Sequence, residues 1–181
     1  MINGGFKIKG ILEFIKEIVL VVLICMLFFS FIVSQNKVPT GSMIDTININ
    51  DRLLVSPIPF YYRDPKQGEI VVFHEEGKLL VKRIVGMPGD ILDIKEGNVY
   101  INGVLYDEHG YLEEEGISTP NSPWEEPVDF PYTVSEQCYF VMGDNRKDSR
   151  DSRYIGAISR EQIVGKPILR IYPFDCIGSI K

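Results

Sequence analysis

Leu79-Leu80-Val81-Lys82-Arg83-Ile84-Val85 is an apolar run with two cations at its centre. Its length and its aliphatic, β-branched content read as a strand. Such a strand is buried on at least one face, where an ammonium is costly. Two readings of Lys82 stay open. It lies on the polar face, paired with Glu69 or Glu75, or its charge is suppressed by its setting. The flanking chain has the same texture: residues 51–55, 69–73, 91–94, 98–101, 139–142 and 168–172 read as further short strands. Turn signals separate them, among them Asp64-Pro65, Glu76-Gly77, Pro88-Gly89-Asp90 and Glu96-Gly97. Asn102-Gly103 predicts a tight hairpin, because its two central residues tolerate positive φ. Ser159 with Gln162 three residues on predicts one capped helical turn. The expected fold is mostly β, an antiparallel β-rich domain.

The N-terminal part differs. Residues 18–33 carry no charge and span about 24 Å as a helix. Ser34, Gln35 and Asn36 extend this to about 28 Å, close to a hydrocarbon core of about 30 Å. Lys16 and Lys37 stand at the two ends, where they can snorkel. A cleavable signal peptide or a buried core helix are the other readings. No Ala-x-Ala site follows, so a retained transmembrane helix is the expectation. Lys7, Lys9 and Lys16 precede the stretch, which keeps the N-terminus in the cytoplasm and sends the rest outside. The predicted organisation is a cytoplasmic N-terminus and anchor over 1–36 and an extracytoplasmic domain over 37–181. Residues 104–135, rich in Pro, Gly, Ser and Glu and containing Trp124, read as an exposed insertion or small lobe.

Net charge is −6, which argues against nucleic-acid binding. The acidity is local: residues 106–133 hold eight carboxylates and no Lys or Arg, a pattern read as a solvated face. Cys25 lies in the apolar stretch; Cys138 and Cys176 read as separate small apolar residues rather than a pair. No zinc spacing is present and His74 and His109 are isolated, so neither a metal nor another cofactor is expected.

Lys37-Val38-Pro39-Thr40-Gly41-Ser42-Met43-Ile44 places one hydroxyl on a Pro/Gly-shaped turn directly after the apolar stretch. A Thr-Gly-Ser turn is by itself only a turn. A serine attacks carbonyls only when a neighbour takes its proton, and Lys82 is the candidate neighbour if burial lowers its pKa. A third cluster, Gly143-Asp144-Asn145-Arg146 through Ser149, Asp151, Ser152 and Arg153, is either a polar loop or a buried network that positions a base.

Together these segments resemble the bacterial type I signal peptidases, in the family's order and over nearly the whole chain. Residues 39–43 resemble the nucleophile box, 51–55 the strand after it, 82–90 the lysine box and 143–153 the last box. The resemblance implies a membrane-anchored serine endopeptidase with a Ser42–Lys82 dyad. It implies that Thr40 and the Ser42 N–H hold the oxyanion and that Ser149 orients the lysine. Asp144, Asn145, Arg146, Asp151 and Arg153 would form a supporting network. Val38, Met43, Ile47, Leu80 and Val81 would wall pockets for small side chains one and three residues before the cut. An extended substrate would add alongside 79–83. The implied partners are preprotein signal peptides, the lipid bilayer and the export machinery, at the outer face of the cytoplasmic membrane with a single pass. Residues 43–47 depart from the pattern, since the family commonly has proline where Asp45 stands. Two rivals are a Ser–Lys processing protease with a dedicated substrate and a catalytically silent tethered β-domain that binds exported chains.

Overall fold

The computed structural model describes residues 4–32, 34–112, 114, 116–122 and 125–180; Val33, Glu113, Glu115 and Trp124 lie outside them. The chain divides into two units, 1–34 and 35–181. The first is a single helix, α1 (Gly4–Ile32). Its described side chains, 10–26, are exposed. Among the described residues no helix is long and apolar enough to cross a membrane. The side chains of 27–33, the second half of the expected span, fall outside the described ones.

The second unit carries the β structure. Its strands are β1 (Ser34–Lys37), β2 (Arg52–Ser56), β3 (Ile70–Glu75), β4 (Lys78–Gly86), β5 (Ile91–Lys95) and β6 (Asn98–Ile101). They continue with β7 (Val104–Leu105), β8 (Tyr132–Thr133), β9 (Cys138–Met142), β10 (Ile158–Ser159) and β11 (Ile163–Tyr172). Two short helices, α2 (Pro59–Tyr62) and α3 (Ser152–Ile155), complete the set. One sheet has the order β1-β2-β11-β3-β4-β9-β10 and a second the order β7-β6-β5-β8. Every pairing with a described register is antiparallel. The mostly antiparallel β class expected from the sequence is the class observed.

Strand parity explains why β3, β4 and β9 read as continuous apolar runs. Successive side chains point to opposite faces. Val71, Phe73, Ile84 and Val141 enter one cluster with Phe60, Tyr139 and Ile158. Ile70 and Val72 enter a second with Val38, Met43, Ile47, Leu53 and Val55. Val85, Phe140 and Met142 enter a third with Leu92, Val99 and Val134. Both faces of the central strands are covered, so no polar alternation survives.

The predicted hairpin at 102–103 joins β6 to β7, with φ of 53° at Asn102 and 80° at Gly103. The predicted turn at 159–163 is a 3-10 helix over Arg160–Gln162 with the Ser159–Gln162 capping box. β11 begins earlier than the sequence implied, because Gly165-Lys166-Pro167 reads as a break. Pro167 instead sits where the β11–β2 register shifts, a place that tolerates a missing N–H. Residues 104–135 give β7 and β8 to the second sheet at their two ends.

Gly165 packs against the backbone at the end of β2. A Cβ there would lie 2.6 Å from the Ser56 carbonyl oxygen. Only a backbone shift relieves such overlap, so Gly165→Ala should lower unfolding stability by about 1–3 kcal/mol in urea denaturation. Unchanged stability would contradict this packing.

Candidate active site

Lys82 sits on β4, two residues from Leu80 and two from Ile84, and it faces Val71 across β3. Parity therefore sends its side chain toward the cluster that holds Val71 and Ile84, against which Leu80 packs. It is 2% exposed. Neither Glu69 nor Glu75 is its partner: Glu69 bonds Arg63 and Lys166, and Glu75 accepts from Gln162. Its contact is Ser42, with 2.5 Å between Nζ and Oγ. As an ammonium Nζ donates to that oxygen; as an amine it offers a lone pair to the hydroxyl. Burial lowers the Lys82 pKa to about 8. Asp151, Asp144 and Asp148 oppose that shift and Arg153 adds to it.

Ser42 is 8% exposed and lies on the irregular segment before β2. Met43 and Ile47, both fully buried, anchor that segment in the second cluster. The Thr40 hydroxyl lies 3.4 Å from Ser42 Oγ. Asn145 holds the backbone on both sides of the serine: its amide N–H donates to the Ser42 carbonyl at 3.1 Å and its side chain to the Gly41 carbonyl at 3.0 Å. Gly143 lies so close that a Cβ there would overlap the Ser42 carbonyl oxygen and the Ser149 hydroxyl.

Within 143–153, Asp144, Arg146, Asp151, Ser152 and Arg153 form a buried network. Arg83 makes a two-point bond to Asp144, at 2.9 and 2.7 Å, and Thr46 donates to the same carboxylate at 2.6 Å. Arg153 makes a two-point bond to Asp151 at 2.9 and 2.8 Å, and both side chains are 0% exposed. Burial alone would push the Asp151 carboxyl up, but the Arg153 bonds and the Gly143 N–H hold it below its ordinary value. Gly143 N–H donates to Asp151 at 2.9 Å, which fixes the strand end beside Ser42.

The insertion enters this network through Glu108, the exception to the solvated acidic face that the exposed Asp107, Glu114, Glu126 and Asp129 form. Glu108 accepts two bonds from the buried Arg146, at 3.0 and 2.5 Å, and Ser118 accepts a third at 2.5 Å. Tyr111 lies beneath Arg83, whose guanidinium carbon is 4.1 Å from the ring centre. Burial holds the Tyr111 phenol above its usual range, so the ring stays neutral under that cation. Sequence reasoning missed Glu108, Tyr111 and Ser118, because nothing local marks a partner about thirty residues away. Arg83 was visible only as part of the lysine box.

Ser149 is half-buried, and its hydroxyl oxygen, buried beside Gly143, has no hydrogen-bond partner among the described residues. No bond joins it to Lys82. Its closeness to Asp151 contributes to holding that carboxyl down. Of the five predicted pocket residues, Val38, Leu80 and Val81 line a cavity of about 360 Å³ with Leu53, Val55 and Val72. Met43 and Ile47 stand behind it in the second cluster. A neighbouring cavity of about 400 Å³ holds Ser42, Lys82 and Thr40, and the two share Thr40, Lys78 and Leu80. β4 pairs with β9 only from Arg83 onward, so its first half is bonded to β3 alone and keeps one edge free.

His74 and His109 are exposed. Cys138 and Cys176 are free thiols. Among the described residues no three His, Cys, Asp or Glu side chains gather around a common point that could hold a metal ion.

The depressed Lys82 pKa has a stability consequence. The unfolded lysine titrates near 10.4 and the folded one near 8. Between those values the unfolded chain binds more protons, so native stability rises with pH across that window. Below pH 8 the fold carries the full cost of a buried ammonium. Lys82→Met should therefore be more stable than the parent at pH 7, by about 3 kcal/mol, with the gap closing as pH rises from 8 toward 10.4. A gap independent of pH, measured by urea denaturation, would contradict the shift.

The family model for signal peptidase, peptidase S26, matches residues 11–172. A probable signal peptidase I-2 of Synechocystis is 36% identical over 92% of this chain and 76% of its own length. Signal peptidase I P of Bacillus subtilis subsp. natto is 36% identical over 97% of this chain and 96% of its own. The crystal structure of a signal peptidase I from Enterococcus faecalis V583 is 30% identical, with a TM-score of 0.47, and covers 57% of this chain and 97% of that one. On the extent of these matches, the chain belongs to the signal peptidase family, peptidase S26.

Proposed function

We propose that this serine endopeptidase removes N-terminal signal peptides from exported preproteins with Ser42 as nucleophile and Lys82 as general base. The observation that carries the assignment is the 2.5 Å approach of a buried lysine amine to a buried serine hydroxyl. Neutral Lys82 takes the Ser42 proton as Oγ attacks the scissile carbonyl. The Lys82 ammonium then protonates the leaving amine, and the N-terminal fragment stays on Ser42 as an ester. A water attacks that ester with Lys82 again as base, and Ser42 recovers its proton. Thr40 and the Ser42 N–H stabilise the oxyanion in both halves. Ser149, whose hydroxyl oxygen is buried beside Gly143, orients the lysine through the Asp151 side of the site.

The free edge of β4 at 78–82 accepts the substrate as an added strand. Side chains one and three residues before the cut then point to the same face. The walls of Val38, Leu80 and Val81 leave room there for small side chains. The apolar stretch 18–33 serves as a single-pass anchor with the N-terminus inside. Its flanking lysines set that orientation. The domain from 37 onward then works at the outer face of the cytoplasmic membrane, beside the bilayer and the export machinery.

Ser42→Ala and Lys82→Ala should each abolish cleavage of an Ala-x-Ala preprotein, and the double variant should be no worse than either. In the parent, kcat/KM should rise with pH through about 8, the value set by burial of Lys82. Substantial turnover by Lys82→Ala, or a limb near 6.5 that vanishes when His74 or His109 is replaced, would identify a different base.

Thr40 gives a finer test. Thr40→Val removes the hydroxyl at similar shape and should lower kcat by about 10²–10³. Thr40→Ser should stay near the parent. Equal kcat for the two variants would remove Thr40 from the mechanism.

A further inference from the structure

The groove does not end at Ser42. The cavity holding Ser42 and Lys82 joins the apolar cavity on one side. On the other it shares Asp148 and Arg150 with a third cavity of about 350 Å³. The insertion and the last box build this third cavity together: Asn121, Ser122 and Glu125 face Lys147, Arg150 and Tyr154. Tyr154 Oη accepts the backbone N–H groups of Asn121 and Ser122, each at 2.9 Å, which fixes that wall. Arg150 donates to Glu125 at 2.6 Å and lies 3.6 Å from Glu76, so it spans from the insertion to the β3–β4 turn.

The two outer cavities differ in chemistry. The first is walled by Val38, Leu53, Val55, Val72, Leu80 and Val81. Among the described residues no aliphatic side chain lines the third. An extended peptide whose cut bond lies at Ser42 must place one side of the cut toward each. A signal peptide is apolar on the N-terminal side of its cut, and that side fits the aliphatic wall.

We infer that the third cavity receives the polar segment on the C-terminal side of the cut, the first residues of the mature protein, and that Arg150 is a specificity-determining residue there. The inference rests on the reading of Ser42 as nucleophile. Glu125 and Glu76 balance the Arg150 charge, and Glu114 balances Lys147. Recognition in this cavity therefore runs through hydrogen bonds to an extended polar chain rather than through net charge. Binding made away from the reacting bond contributes to rate as well as affinity.

The test uses the full chain in detergent micelles and four peptides with one Ala-x-Ala core. One pair differs only after the cut, with two or six polar residues. The other pair differs only before it, by four apolar residues. In the parent the six-residue peptide should be favoured over the two-residue one by about tenfold in kcat/KM. Arg150→Ala, and separately Asn121→Trp, which fills the cavity, should each bring that ratio toward one. The ratio for the upstream pair should keep its parental value in both variants. A downstream ratio that stays tenfold in both variants overturns the assignment, as does loss of the upstream ratio in its place. Failure of the parent to cut any of the four defeats the endopeptidase reading itself, and the assignment with it.

Discussion

A lysine on the core-facing side of a strand is the constraint on which the rest of the site depends. β4 must present an apolar row on each face to join its neighbours to the core. Lys82 occupies a place in one of those rows, between Leu80 and Ile84. An ammonium there loses its water, and the attraction of Asp151, Asp144 and Asp148 only partly offsets that loss, which moves the equilibrium toward the amine. The chemistry proposed for the dyad needs that amine. The stability cost and the reactivity of the site are therefore two expressions of one burial.

The surrounding charges have a different task. Arg83, Asp144, Asp151, Arg146 and Arg153 are all buried, and each is matched by a two-point bond or by several acceptors. Buried pairs of this kind add little net stability over apolar residues of the same size, so position is their main contribution. Asp151 holds the Gly143 amide, and Asn145 holds the carbonyls on both sides of the nucleophile. The Ser42 segment has little regular structure of its own. Its geometry is borrowed from the last box on one side and from Met43 and Ile47 in the core on the other. The insertion extends the same support, since Glu108 and Ser118 complete the partners of Arg146.

Much of this was legible in the sequence, for identifiable reasons. β3, β4, β5, β6 and β9 are short apolar runs bounded by Gly, Pro and Asn turns, and the hairpin at 102–103 carries its own φ requirement. On pattern alone Ser42, Lys82 and the 143–153 cluster stayed open between a plain and a functional reading, and it was the resemblance to the type I signal peptidases that joined them into one site. The two-residue strands β7, β8 and β10 were not legible, since they have no periodicity to detect. The roles of Glu108 and Tyr111 were hidden because their partners are set by tertiary placement, and an acidic run looks the same whether solvated or paired. Val38, Leu80 and Val81 lie on the cavity wall while Met43 and Ile47 lie one layer behind. That distinction depends on packing depth, which a sequence pattern does not encode. The anchor was read from hydropathy alone, and the end of its span lies outside the described side chains.

The most direct test of the account is the titration of the Lys82 amine itself. With lysine carrying carbon-13 at Cε, the Lys82 resonance can be assigned by its loss in Lys82→Met and followed from pH 6 to 11. The account predicts a midpoint near 8, set by burial on the core face of β4. A midpoint above 10, the value of a solvated lysine, would contradict it.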